Sequence, residues 1–166
     1  MEPMEWCTGA HFVDKQNGKV RLVNDLTALN KYTKRPVHGF SSSAELREGI
    51  LHMSWYFCVL DCVQGYHQLK LDEESSLLTT FMVSTGDRCQ RYWFIRAPMG
   101  LNASGDMFFQ RTDDTFLLIQ EVSKLVDDVL VQGDMYEQLV GRVEEVLVSA
   151  REHGLTMSRS KMQPGR

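Results

Sequence analysis

Two adjacent aspartates, Asp127 and Asp128, stand between Ser123-Lys124-Leu125-Val126 and Val129-Leu130-Val131-Gln132. The β-forming apolar residues on either side predict a hairpin with the carboxylates in its tight turn. Neighbouring like charges in an apolar hairpin repel and lose hydration. Something positive should offset them, and a divalent cation is the strongest candidate. A surface Asp-Asp turn is the competing reading, because Asp favours turns through local hydrogen bonds. The pair alone does not decide between them.

The rest of the chain narrows the choice. Its 166 residues suffice for one domain with a real core, and 43% apolar with 24% charged residues is ordinary for a globular protein. No apolar run approaches a membrane span. Met1–Trp6 is acidic and lacks an apolar core, so no signal peptide is expected. Cys7, Cys58, Cys62 and Cys89 show neither Cys-x-x-Cys spacing nor a paired His, which argues against zinc and against a disulfide framework. A reducing intracellular compartment, cytoplasm or nucleus, is expected. The net charge is −4, with eleven basic and sixteen acidic side chains in 51–166 against seven and six in 1–50. Such a balance opposes simple electrostatic binding of nucleic acid unless basic groups are clustered.

In order, Ala10–Lys15 and Lys19–Val23 flank Gln16-Asn17-Gly18, a strong hairpin signal that puts Lys15, Lys19 and Arg21 on one exposed ribbon. Asp25–Lys31 reads as a short helix, and Ser42 or Ser43 can cap another through Gly49. Ser54–Asp61 is a buried strand ending on a carboxylate. Cys62–Tyr66 turns the chain, and His67–Asp72 alternates like a half-buried strand. Leu77–Ser84 and Arg88–Ile95 read as a further strand pair. Asn102 to about Gln120 and Met135 to His153 read as long helices, the second ended by Gly154 with Leu139, Val143, Val146, Leu147 and Ala150 facing inward. Leu155–Ser158 reads as a short last strand. Strands interleaved with two packed helices predict an α+β layer fold.

If Asp61 and the Asp127-Asp128 turn are neighbours in one sheet, three carboxylates converge at one edge. Without a cation that would be strongly destabilising. With two Mg²⁺ ions roughly 3.5–4 Å apart it would be a phosphoryl-transfer site.

Four blocks, in order, resemble one family. They are Arg21-Leu22-Val23-Asn24-Asp25-Leu26-Thr27-Ala28-Leu29-Asn30-Lys31, Phe57–Gln68 around Asp61, Ala97–Ser104 with Phe109-Gln110, and Leu125–Val131 around the Asp pair. Together they resemble the fingers and palm of the reverse transcriptases of gypsy-type retrotransposons and retroviruses. The resemblance implies a polymerase palm, a ferredoxin-like antiparallel sheet packed on two helices, with a partial fingers hairpin. It divides the chain into partial fingers (1–50), the first catalytic strand with fingers return strands (51–95) and palm with the Asp-Asp hairpin (96–166). No thumb, primer-gripping hairpin, connection or ribonuclease H region is expected in it.

The same resemblance implies roles. Asp61, Asp127 and Asp128, with the Cys62 carbonyl, would hold two Mg²⁺ ions, for which Mn²⁺ could substitute. Lys15 and Arg21 would fold over a deoxynucleoside triphosphate, and the backbone of Gln64 and Gly65 would support its phosphates. Tyr66 would stack under the sugar and exclude a 2′-hydroxyl, and Met99 would line the pocket. The partners implied are an RNA or DNA template with its primer and the rest of a Pol polyprotein, with no membrane. Leu125 replaces the aromatic that precedes the Asp pair in relatives, and Thr27-Ala28 replaces a more polar pair. A non-catalytic remnant and an interaction module that keep the fold are the alternatives. A two-metal nuclease is disfavoured, since no His or Lys base accompanies the aspartates in a recognisable motif.

Overall fold

A four-stranded antiparallel sheet forms the centre of the molecule. The computed structural model describes residues 6–14, 18–36, 55–86, 88–125 and 127–165. The elements run β1 (Ala10–Asp14), β2 (Val20–Asn24), α1 (Thr27–Asn30), β3 (Tyr56–Asp61), a 3₁₀ turn (Gly65–Gln68), α2 (Glu73–Leu78), β4 (Phe81–Thr85) and β5 (Arg88–Tyr92). They continue with α3 (Asn102–Phe116), β6 (Val122–Leu125), β7 (Asp128–Gly133), α4 (Tyr136–Glu152), a second 3₁₀ turn (Arg159–Lys161) and β8 (Gln163–Gly165). The central order is β6-β7-β3-β8, and β1-β2 and β4-β5 are separate hairpins. Helix α3 connects β3 to β6, and α4 connects β7 to β8, which is the split β-α-β pattern of ferredoxin-like sheets.

Period-two alternation sends Cys58 and Leu60 of β3, and Val129 and Val131 of β7, into the core. Phe108 and Phe116 of α3 and Leu139, Val146 and Ala150 of α4 join them in one cluster. Burying a side chain such as Phe108 or Leu60 contributes roughly 1.5–3 kcal/mol. The Ser149 hydroxyl donates to the Thr115 carbonyl at 2.6 Å and ties the two helices together. A Cβ at Gly133 would lie 2.8 Å from the Leu139 nitrogen, so glycine lets α4 start close to the sheet. Gly154, at φ +68°, ends that helix.

Several expected elements differ. His67–Asp72 is not a strand. Its first residues complete the 3₁₀ turn, and Asp72 caps α2 by accepting from the Ser75 N–H at 2.7 Å. Glu73 and Glu74 in the first turn favour that helix, so Leu77 and Leu78 are helical and β4 starts only at Phe81. Leu155–Ser158 makes a single bridge, Cys62 to Met157, and the last strand is instead β8, with Pro164 opposite Cys58. Proline is tolerated there because β8 is an edge strand. Helix α3 stops at Phe116, short of Gln120. The helix expected at 42–49 lies outside the described residues. Among the described residues no helix is long and apolar enough to cross a membrane.

Candidate active site

The strand register builds the site. β3 ends at Asp61 and β7 begins at Asp128, and the two residues are Cα partners. The Cys62 N–H donates to the Asp127 carbonyl at 2.8 Å, closing the hairpin turn against the end of β3. All three aspartates therefore share one sheet edge. Burial, then the charges of Asp61 and Asp128, push the Asp127 carboxyl above its ordinary range, with Lys161 opposing. Its Oδ1 is buried and has no hydrogen-bond partner. The Cys62 thiol, 2% exposed, is pushed up to about 12 by burial and then by the same carboxylates. The Cys62 sulfur rests 3.4 Å from the Met157 sulfur.

The segment after β3 forms the pocket wall. Gln64 takes the left-handed conformation at φ 49° and starts the 3₁₀ turn. Gly65 is required by close approach, since a Cβ there would meet Asp127 Oδ1 at 2.8 Å and the Phe108 ring at 2.9 Å. Tyr66 sets its ring edge-on to Phe108 at 5.9 Å, and burial followed by Asp127 raises its phenol. The Gln68 amide donates to the Val63 and Thr156 carbonyls at 2.8 and 3.1 Å and accepts from the Thr156 N–H at 2.8 Å. It thereby pins this turn to the segment that follows α4.

The facing wall is the loop before α3. The Asn30 amide donates to the Gly100 carbonyl at 2.8 Å and accepts from the Asn102 N–H at 2.9 Å. The Ser104 hydroxyl donates to the Pro98 carbonyl at 3.0 Å. Arg35 grips the buried Asp106 carboxylate with two nitrogens, at 2.5 and 3.3 Å. These bonds fasten the chain around α1 to the head of α3 and fix where Met99 stands.

A cavity of about 530 Å³ lies between the walls, lined by Arg21, Asp61, Cys62, Gln64, Gly65, Tyr66, Met99 and Asp127 among others. Every described residue expected to bind nucleotide thus lines one pocket with two of the aspartates. Asp128 shares the sheet edge but is not among the lining residues. Lys15 lies outside the described residues.

Sequence reasoning missed several lining residues. Asn24, His67 and Phe94 belong to the pocket, and the last two rings stack at 6.2 Å. Most consequential is Lys161, whose Nζ donates to Asp61 Oδ2 at 2.7 Å. That bond raises the ammonium above its ordinary range. No local pattern marks Lys161, which is a hundred residues from its partner.

The donor set fits a hard divalent cation. It offers carboxylate oxygens, one of them buried without a partner, and burial followed by the charges of Asp61 and Asp128 raises the Asp127 carboxyl. Among the described residues, no three His, Cys, Asp or Glu side chains are already grouped to hold a metal ion. The Lys161 ammonium pairs with the Asp61 carboxylate at 2.7 Å.

The family profile described as reverse transcriptase (RNA-dependent DNA polymerase) matches residues 13–165. The chain is 29% identical over 151 residues to the enzymatic polyprotein of Cauliflower mosaic virus (strain Strasbourg), covering 90% of this chain and 22% of that protein. It is 32% identical over 145 residues to the retrovirus-related Pol polyprotein from transposon 412 of Drosophila melanogaster, covering 86% of this chain and 11% of that protein. The crystal structure of the prototype foamy virus protease-reverse transcriptase CSH mutant superposes with a TM-score of 0.85. It shows 26% identity over 99% of this chain and 22% of that one. The chain thus spans about a fifth or less of the length of these relatives. With the profile covering all but the ends of the sequence, this chain belongs to the reverse transcriptase (RNA-dependent DNA polymerase) family.

Proposed function

We propose that this chain carries the catalytic centre of an RNA-directed DNA polymerase working within a Pol polyprotein. It would add deoxynucleotides to a primer 3′-hydroxyl on an RNA or DNA template. The observation that carries the reading is the pairing of Asp61 with Asp128, which sets the carboxylate edge at a pocket lined by Arg21, Gln64, Gly65 and Tyr66. In the reaction the primer 3′-hydroxyl gives its proton to water as its oxygen bonds the α-phosphorus, the bond to the bridging oxygen breaks, and pyrophosphate leaves. Asp61, Asp127 and Asp128, with the Cys62 carbonyl, would hold two Mg²⁺ ions, or Mn²⁺ in their place. When bound, such ions supply positive charge to the phosphate oxygens and lower the pKa of the attacking hydroxyl.

The chain's own residues do the rest. Arg21 lines the pocket and would bind phosphate oxygens, joined by Lys15. The turn at Gln64-Gly65 would present main-chain amides to the triphosphate. Tyr66, braced edge-on by Phe108, would form a floor under the sugar that excludes a 2′-hydroxyl. Met99 would flank the base.

One experiment tests the whole reading: primer extension on an RNA template with deoxyribonucleotides or ribonucleotides and Mg²⁺. Extension by the parent chain, its loss in Asp127→Asn, and a higher ribonucleotide share in Tyr66→Ala are expected. Undiminished extension by Asp127→Asn would overturn the assignment of the aspartates. An unchanged sugar ratio in Tyr66→Ala would return that ring to a packing role.

A further inference from the structure

We propose that Lys161 is a tethered counter-cation that a divalent ion must displace from Asp61, so that metal uptake is coupled to release of the Lys161 side chain. The inference rests on the reading of Asp61, Asp127 and Asp128 as the cation-holding carboxylates. Its starting point is the 2.7 Å contact between Lys161 Nζ and Asp61 Oδ2 at the pocket those aspartates border.

The contact is delivered by the backbone. The Ser158 N–H donates to the carbonyl of Asp61 itself at 2.8 Å, and Met157 bridges Cys62. The 3₁₀ turn at Arg159–Lys161 then carries the ammonium back over the carboxylate of the same Asp61. Main-chain pairing therefore holds the lysine stem beside the site whether or not the ammonium is engaged.

The charge balance is incomplete. One ammonium faces three carboxylates, and Asp127 Oδ1 remains buried without a partner. The edge keeps a net negative charge and still attracts a divalent cation. A divalent ion held by Asp61 would share with the ammonium the carboxylate that Lys161 already engages at 2.7 Å, and like charges on one carboxylate repel strongly. One of the two must leave. The lysine side chain is 64% exposed and the Asp61 side chain 18%. An ion pair with so exposed a partner is weak, so the lysine yields and the metal stays. The apparent metal affinity is then reduced by the fraction of molecules in which Lys161 is engaged.

The test is Mn²⁺ binding by the metal-free chain, followed by electron paramagnetic resonance and calorimetry, in the parent, Lys161→Met, Lys161→Arg and Asp127→Asn. Lys161→Met should bind Mn²⁺ about two- to five-fold tighter than the parent. It should unfold at a lower temperature without metal, and Lys161→Arg should stay near the parent. In a lysine-labelled parent, the Lys161 ε-carbon signal, assigned with Lys161→Arg, should shift as Mg²⁺ saturates the site. Equal or weaker Mn²⁺ binding by Lys161→Met, or an unmoved lysine signal, together with lost binding in Asp127→Asn, would overturn the exchange and leave the metal reading standing. Equal binding by the parent and Asp127→Asn would overturn the metal reading and this proposal with it.

Discussion

Gly65 shows how one missing Cβ shapes the pocket. The space it vacates is taken by the Asp127 carboxylate on one side and the Phe108 ring on the other. In Gly65→Ala one of them must move, and overpacking of this kind costs about 1–3 kcal/mol. Urea unfolding is expected to show a lower midpoint for the variant, and an unchanged midpoint would mean the wall yields freely. The thiols give a second test at this scale. Burial raises both Cys58 and Cys62, the latter to about 12, so at pH 8 each is almost wholly the unreactive thiol. Cys7 and Cys89 are exposed. Iodoacetamide at that pH should label Cys7 and Cys89 in the native chain and reach the other two only after unfolding. Peptide mapping by mass spectrometry reads the outcome, and rapid labelling of Cys62 would show that the turn after β3 opens.

At the scale of elements, α2 illustrates a cap overriding an apolar alternation. The Asp72 carboxylate accepts from the Ser75 N–H at 2.7 Å and the Ser75 hydroxyl at 3.0 Å. Those bonds, led by the one from the main chain, hold its pKa below the ordinary value of 3.8. The native state thus favours the ionised cap. Its contribution is complete above the unfolded carboxylate value and disappears as pH falls through the lower native one. Asp72→Ala should therefore melt below the parent at pH 7, and the gap should close towards pH 2. Melting curves by circular dichroism across that range decide it, and a constant gap would show that ionisation of the cap does not matter. The alternation of His67–Asp72 suggested a strand because period two is a local signal. The 3₁₀ turn at Gly65–Gln68 took its first residues, and the equally local cap of Asp72 on Ser75 made Leu77 and Leu78 helical where a strand was expected.

For the whole molecule, charge decides what the chain can hold. Residues 51–166 carry eleven basic and sixteen acidic side chains. Several of those cations are engaged internally. Arg96, Arg111 and Arg142 donate to main-chain carbonyls, and Lys124 and Lys161 pair with Asp113 and Asp61. A duplex is gripped by its phosphates, which requires a row of cationic or amide donors. This chain alone should bind template-primer in the weak range typical of non-specific contacts, about 10⁻⁴–10⁻⁶ M, with strong salt dependence. Fluorescence anisotropy with a labelled template-primer over a salt series is the measurement. Nanomolar binding at physiological salt would show that the described surfaces suffice.

The sequence by itself determined the elements that carry their own periodic or capping signal, namely the β1-β2 pair, the strand ending at Asp61, the two long helices and the Asp-Asp hairpin. Its four ordered blocks also identified the family. Only the tertiary structure decided which distant residues meet. Lys161 reaches Asp61, Asn30 clamps Gly100, and Gln68 ties the turn after β3 to Thr156. Propensity and hydrophobic period act over a few neighbouring residues. These meetings are instead set by the order β6-β7-β3-β8 and by the helices that bury its core face, which fix every cross-chain distance at the site together.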